Sequence, residues 1–197
     1  MQYTAKQFNL PELKGISPEQ IKVHLALYEG YVKNVNLLMS TIAAYEKTED
    51  EGGKYAIAEM RRRLGWEFDG MRMHEYYFEQ FEGGQGGDPE SALAKAAAER
   101  YGSGENFLKH IKEVAGTRGI GWVIVYADPK GSTIHTAYVG DHEIGQLAGL
   151  PIILALDMWE HAYMVDYKPA EKKSYVEAFL DNCNWRVAEE RFAKAMA

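Results

Sequence analysis

Core-type side chains recur every three and four residues at Ile21, His24, Leu25, Tyr28, Tyr31, Val32, Val35 and Leu38, the period of an amphipathic helix. Ser17-Pro18-Glu19-Gln20 opens this helix with a hydroxyl cap, a proline in the first turn and a Gln three residues after the cap, the capping-box pattern. It runs to about Tyr45, before a polar break from Lys47 to Gly53. A second helix is expected from about Lys54 to Phe81, with Gly65 and Gly70 as candidate kink points. The two form an antiparallel hairpin. Glu82-Gly83-Gly84-Gln85-Gly86-Gly87 then reads as a linker, and Asp88-Pro89-Glu90 as an acidic cap with proline at the first helical position.

Beyond the linker the period changes. Helices at about 89–101 and 104–115 lead into Gly121-Trp122-Val123-Ile124-Val125-Tyr126, a strand, followed by turn chemistry at Asp128-Pro129-Lys130-Gly131 and a returning strand from Ser132 to Val139. A third strand, Pro151 to Leu156, ends at Asp157, and helices resume at about 170–181 and 184–196. Runs of helices, strands and helices predict an α+β fold: an N-terminal antiparallel helical hairpin, then an α/β domain with a small three-stranded antiparallel sheet flanked by helices. The expected boundary divides the chain into residues 1–84 and 85–197.

Composition narrows the function. The chain's 197 residues and 46% hydrophobic content suffice for an ordinary core, and one cysteine, Cys183, cannot form an intramolecular disulfide. No apolar run is long enough to span a bilayer, and the N-terminus lacks a signal-peptide core, so a cytoplasmic protein with no membrane partner is expected. A net charge of -7 argues against nucleic acid as a partner. The compact basic run Arg61-Arg62-Arg63 reads as a solvated helix face.

Several features carry no chemistry of their own. Gly83 to Gly87 lacks the Gly-Lys-Ser/Thr of a phosphate loop, and Gly119-x-Gly121 precedes a strand, the wrong order for a dinucleotide fingerprint. Cys183 has no identifiable activating neighbour. Trp66, Tyr76, Met71 and Met73 read as core or interface filling, and His110 and His135 as structural or exposed.

Of the six histidines, His24, His74 and His161 stand out, because with Asp157 they would give three imidazoles and a carboxylate from distant segments, a donor set suited to a first-row transition metal. Spacing alone does not separate this from buried, hydrogen-bonded core histidines. The segment Asp157-x-Trp159-Glu160-His161-Ala162-Tyr163 resembles the C-terminal metal-binding signature of the iron/manganese superoxide dismutases. Upstream, Leu10-Pro11-x-Leu13, Val23-His24 with Gly30-Tyr31-Val32-x-Asn34-x-Asn36, His74 with Tyr77-Phe78, Gly119-x-Gly121-Trp122 and Asn184-Trp185 resemble further family segments in the family's order, over nearly the whole chain.

The resemblance implies His24, His74, Asp157 and His161 as ligands of one iron ion per chain, in preference to manganese, and dismutation of superoxide. It also implies a solvent-facing histidine from the sheet side, where His142 falls, with Gly70 leaving room for it; a histidine exposed in the loop Gly140-Asp141-His142-Glu143 is the other reading. From His24 to Tyr31 is seven residues, one fewer than usual in the family, and about two turns of a regular helix return Tyr31 to the His24 face. Val32 would occupy that place in the competing register. Tyr28 replaces a histidine that in relatives approaches the tyrosine equivalent to Tyr163 across a dimer interface. Ile124 replaces a common aromatic, and the usual arginine after the signature is missing from Lys168 to Lys173, leaving Lys172 or Lys173 to attract an anion. Glu160 is retained, so a homodimer with Glu160 and Tyr163 near its interface is expected, and a tetramer stays open. The rival reading is a metal-binding protein of this fold without dismutase turnover.

Overall fold

The computed structural model describes residues 2–197. Helix α1, Pro18–Tyr45, is capped as expected, the Ser17 hydroxyl accepting from the Gln20 backbone N–H at 3.1 Å. The reciprocal half of the capping box is absent, because the buried Gln20 amide is used elsewhere. Helix α2, Glu51–Glu79, starts earlier than the two glycines suggested. Asp50 caps it through the Gly53 N–H at 2.7 Å, and this offsets the poor propensity of Gly52-Gly53. The helix is uninterrupted through the candidate kink points Gly65 and Gly70.

Helix α3, Ala92–Tyr101, begins three residues later than the proline implied. Ser91 is the cap, and Asp88 closes a turn onto the Glu90 N–H instead. Helices α4 (Gly104–Ala115), α5 (Lys172–Asn182) and α6 (Trp185–Met196) agree with the sequence pattern.

Strands β1 (Gly121–Asp128), β2 (Thr133–Gly140) and β3 (Ile152–Asp157) form an antiparallel sheet in the order β2-β1-β3. Central β1 is buried from Gly121 to Ala127, as a strand covered on both faces must be. The Asp128 carboxylate makes the β1–β2 turn by accepting from the Lys130 and Gly131 N–H groups.

The hairpin and sheet share one core in which Tyr77 of α2 meets Trp122 of β1 and Phe179 of α5, and Phe81, just beyond the helix, packs on Phe179 as well. Gln80, at the C-terminal end of α2, makes a specific joint. Its amide donates to the Ala155 carbonyl at 2.8 Å and accepts from the Ala155 N–H at 2.7 Å, completing the open edge of β3 as a further strand would. Asp157, at the end of that strand, is thereby held in register with the helix carrying His74. No helix among the described residues is long and apolar enough to cross a membrane.

Candidate metal centre

Four residues expected to act together do converge. His24 comes from α1, His74 from α2, Asp157 from the last position of β3, and His161 from a short 3-10 turn, Glu160–Ala162. Asp157 Oδ2 lies 3.0 Å from His24 Nε2, 3.1 Å from His161 Nε2 and 3.6 Å from His74 Nε2, and the His74 and His161 Nε2 atoms are 3.3 Å apart. Donors around one ion at the usual first-row distance of about 2.0–2.2 Å are separated by roughly 3.0–3.6 Å. The spacing therefore fits a metal ion.

Protonation fits as well. His74 Nδ1 donates to the Gly70 carbonyl at 2.6 Å, which places the ring proton there and turns the Nε2 lone pair toward Asp157 and His161. A lone pair facing a carboxylate oxygen in a dry interior is repulsive, and a metal ion between them relieves it. Burial lowers the pKa of His24 against the opposing pull of Asp157, and lowers that of His74 further with the help of His24. Burial alone would raise the Asp157 carboxyl, but the charge and hydrogen bond of His161, with those of His24, hold it far below the usual carboxylate range. Neutral imidazoles and an ionised carboxylate are the states that bind a metal.

The surrounding residues fix these groups by their main chains. Tyr175 donates to the Asp157 carbonyl at 2.8 Å, and the Trp159 N–H donates to Asp157 Oδ1 at 2.8 Å. Gln20 donates to the His161 carbonyl at 2.6 Å and accepts from the Val165 N–H at 3.0 Å, clasping the turn that carries His161. Its position four residues before His24, on one helix face with Tyr28, is the sequence signal that could have marked it.

Beside the four lies a chain of hydrogen bonds. His142 is fully buried, not exposed in its loop, and stacks on Trp159 with ring centroids 4.9 Å apart. Trp122 donates from Nε1 to His142 Nδ1 at 2.9 Å, and His142 Nε2 and Tyr31 Oη are 2.7 Å apart. An indole nitrogen only donates, so in neutral His142 the proton sits on Nε2 and is given to the Tyr31 oxygen. Burial pushes His142 down to about 4 and the Tyr31 hydroxyl well up, so at neutral pH the imidazole is uncharged and the phenol keeps its proton.

Tyr31, and not Val32, faces this site; Val32 is buried in the core. The regular helix α1 delivers it, with the Tyr31 and His74 rings 5.1 Å apart. A Cβ on Gly70 would come within 2.6 Å of the Tyr31 ring. The room that Gly70 leaves is therefore occupied by Tyr31, and His142 reaches the site from the other side.

Tyr28 is buried, donating to Glu75 at 3.1 Å and accepting from the Lys6 N–H at 2.9 Å, and Tyr163 stacks on Tyr175. Ile124 is core. Lys172 reaches the Thr117 carbonyl and, with Lys173, lines a separate cavity beside Lys109 and Lys112, away from the residues that surround Tyr31.

Comparison with known proteins agrees with this centre. Residues 89–191 match the family model for the C-terminal domain of iron/manganese superoxide dismutases. The chain is 32% identical to a protein of Saccharolobus solfataricus named superoxide dismutase (Fe), over 98% of this chain and 97% of the relative. A superoxide dismutase (Fe) of Aquifex aeolicus is 33% identical over 93% and 87%, and superoxide dismutase (Mn) 1 of Halobacterium salinarum 31% identical over 87% and 84%. With similarity along almost its full length and three imidazoles meeting a carboxylate at one point, the chain belongs to the iron/manganese superoxide dismutase family.

Proposed function

We propose that this protein dismutates superoxide with one iron ion per chain, in preference to manganese, held by His24, His74, Asp157 and His161. Two of the three relatives described above carry iron in their names. When bound, the ion supplies a redox couple that accepts an electron from one superoxide and returns it to a second, giving dioxygen and hydrogen peroxide. The chain supplies position and protons. Asp157 provides the compensating negative charge, and His142, anchored by Trp122, orients the Tyr31 hydroxyl. Because His142 donates to the Tyr31 oxygen, the phenolic proton is left available to the reacting oxygen.

The single observation that carries this reading is the Trp122–His142–Tyr31 chain beside the four donors. A protein of this fold that only held a metal would need no such pair at its side.

In this reading residues 1–84 and 85–197 are two functional halves, each contributing two ligands, with the site at their seam. The antioxidant role is placed in the cytoplasm. A homodimer with Glu160 and Tyr163 near its interface is supported by the exposure of Glu160 next to Met164 and Val165, both 48% exposed.

The test is to quantify iron, manganese and zinc per chain and assay dismutation on the same sample, beside His161→Ala. Near-stoichiometric iron or manganese with activity, both lost in the variant, is the expected result. A fully metallated protein no faster than the free ion would overturn the reading.

A further inference from the structure

One face of α2 runs from the protein surface down to His74. Trp66, Gly70 and His74 follow at four-residue intervals, and Arg63 stands one turn above Trp66. Within the basic triplet, Arg63 differs from its neighbours. Arg62 pairs with Glu59 and Arg61 loosely with Glu46, both among exposed side chains, as a solvated face would. The Arg63 guanidinium instead lies 3.5 Å from the centre of the Trp66 ring and is tied at 3.1 Å to Glu67, a nearly buried carboxylate that also accepts from Asn34.

Trp66 in turn packs on the proton-handling pair, its ring centroid 4.5 Å from that of His142 and 5.5 Å from that of Tyr31. Both Tyr31 and Trp66 are only half-buried, and among the four ligands only His161 keeps measurable side-chain exposure, at 17%. The Tyr31–Trp66 rim is thus a surface from which a small solute can approach. Glu67 takes the Nε and one Nη of Arg63 on a single oxygen, and the second Nη nitrogen of the guanidinium stacked on Trp66 meets no hydrogen-bond partner.

We propose that Arg63 is the anion-guiding residue of this protein, gathering small monovalent anions at the Tyr31–Trp66 rim. It fills a part for which the sequence offered Lys172 or Lys173, and it rests on the reading of Tyr31 and His142 as the site's proton-handling pair. Stacking and the Glu67 fork fix the guanidinium, so the free nitrogen is presented without the entropy loss a flexible lysine would incur. Glu67 offsets the net charge of the pair, but its side chain is nearly buried while that of Arg63 is 47% exposed, so the cation is the member that meets an approaching anion.

The test uses the metallated protein as purified, with iodide as anionic and acrylamide as neutral quencher of Trp66 fluorescence, isolated as the difference from Trp66→Phe. Arg63→Gln should lower the iodide quenching constant about twofold at low salt and leave the acrylamide constant unchanged, while Arg63→Lys recovers part of the loss. In the dismutase assay Arg63→Gln should lower kcat/KM about threefold at low ionic strength, with kcat retained and a flatter salt dependence. An unchanged iodide constant, or a rise with both quenchers, would overturn the proposal, the latter showing Arg63 to be a mere cover. Loss of iodide quenching in a protein that never dismutates superoxide would keep the role of Arg63 and remove the proposed function instead.

Discussion

His74 and Arg63 sit on the same helix and are held in opposite ways. The His74 ring is fully buried, its Nδ1 committed to Gly70 and its Nε2 aimed at Asp157 and His161. Arg63 is 47% exposed and fixed only by one aromatic face and one carboxylate. In the interior, orientation comes from main-chain hydrogen bonds that exclude alternatives; at the rim it comes from stacking and charge, which cost little and yield easily. The centre should therefore respond to mutation through stability and metal retention, and the rim through rate and salt dependence.

The largest expected effect lies at the joint between α2 and β3. Gln80→Leu would leave the buried N–H and carbonyl of Ala155 without partners, and should destabilise by about 3 kcal/mol. For a chain of this size that is a fall in Tm of roughly 6–12 °C, measurable by calorimetry. A variant melting with the wild type would mean that the edge of β3 is satisfied in some other way.

The next effect is pH-dependent. His142 is held down to about 4 by burial, whereas in the unfolded chain it titrates near 6.5. Between those values the unfolded state binds more protons, so stability rises with pH and is progressively lost as pH falls from 6.5 toward 4, by up to roughly 3 kcal/mol. The buried His24 and His74 act in the same direction in metal-free protein. His142→Asn should remove its own share of the slope in urea unfolding of the metal-free protein. An identical slope in both would contradict the buried neutral imidazole.

Gly70→Ala sharpens the comparison because it touches both regions. A helical alanine gains about 1 kcal/mol over glycine, but the new Cβ displaces the Tyr31 ring and breaks a hydrogen bond of similar worth. Stability should barely change, while dismutation falls about tenfold, as in Tyr31→Phe, with the metal retained. Full activity in Gly70→Ala would separate Tyr31 from the reaction. The smallest effect is expected at the outer surface, where Arg62→Gln breaks an exposed pair and should leave both the melting temperature and iodide quenching of Trp66 unchanged.

Much of this molecule is legible in the chain because the signals are local. The Ser17 cap and the periodicity to Tyr45, the Asp128-Pro129-Lys130-Gly131 turn and the Asp157-to-Tyr163 signature each depend on residues near one another. The start of α3 was misplaced by three residues, because a proline after an acidic residue reads alike as a helix entry and as a turn, and only Ser91 decides. Helix α2 runs on through Gly65 and Gly70, because packing on α1 and the sheet outweighs the weak helix preference of isolated glycines.

The sequence by itself determined the element order and the α+β class, which follow from periodicity, and it marked the four donor residues through the resemblance of the Asp157-to-Tyr163 segment and its flanks to a known family. Tertiary structure decided which polar groups turn inward and what they meet. Gln20 reads as a helix cap and clasps the His161 turn; Gln80 falls near a helix end and completes the edge of β3; His142, for which an exposed loop position is the other reading, is the buried partner of Trp122 and Tyr31. Arg63 reads as one of three solvated arginines and alone lies on Trp66. For the first three, a polar side chain carries no periodic mark of a partner that lies 75 to 141 residues away, so only the folded chain brings the two together; for Arg63, whose partners Trp66 and Glu67 are one turn away, the fold decides instead that Trp66 lies against Tyr31 and His142.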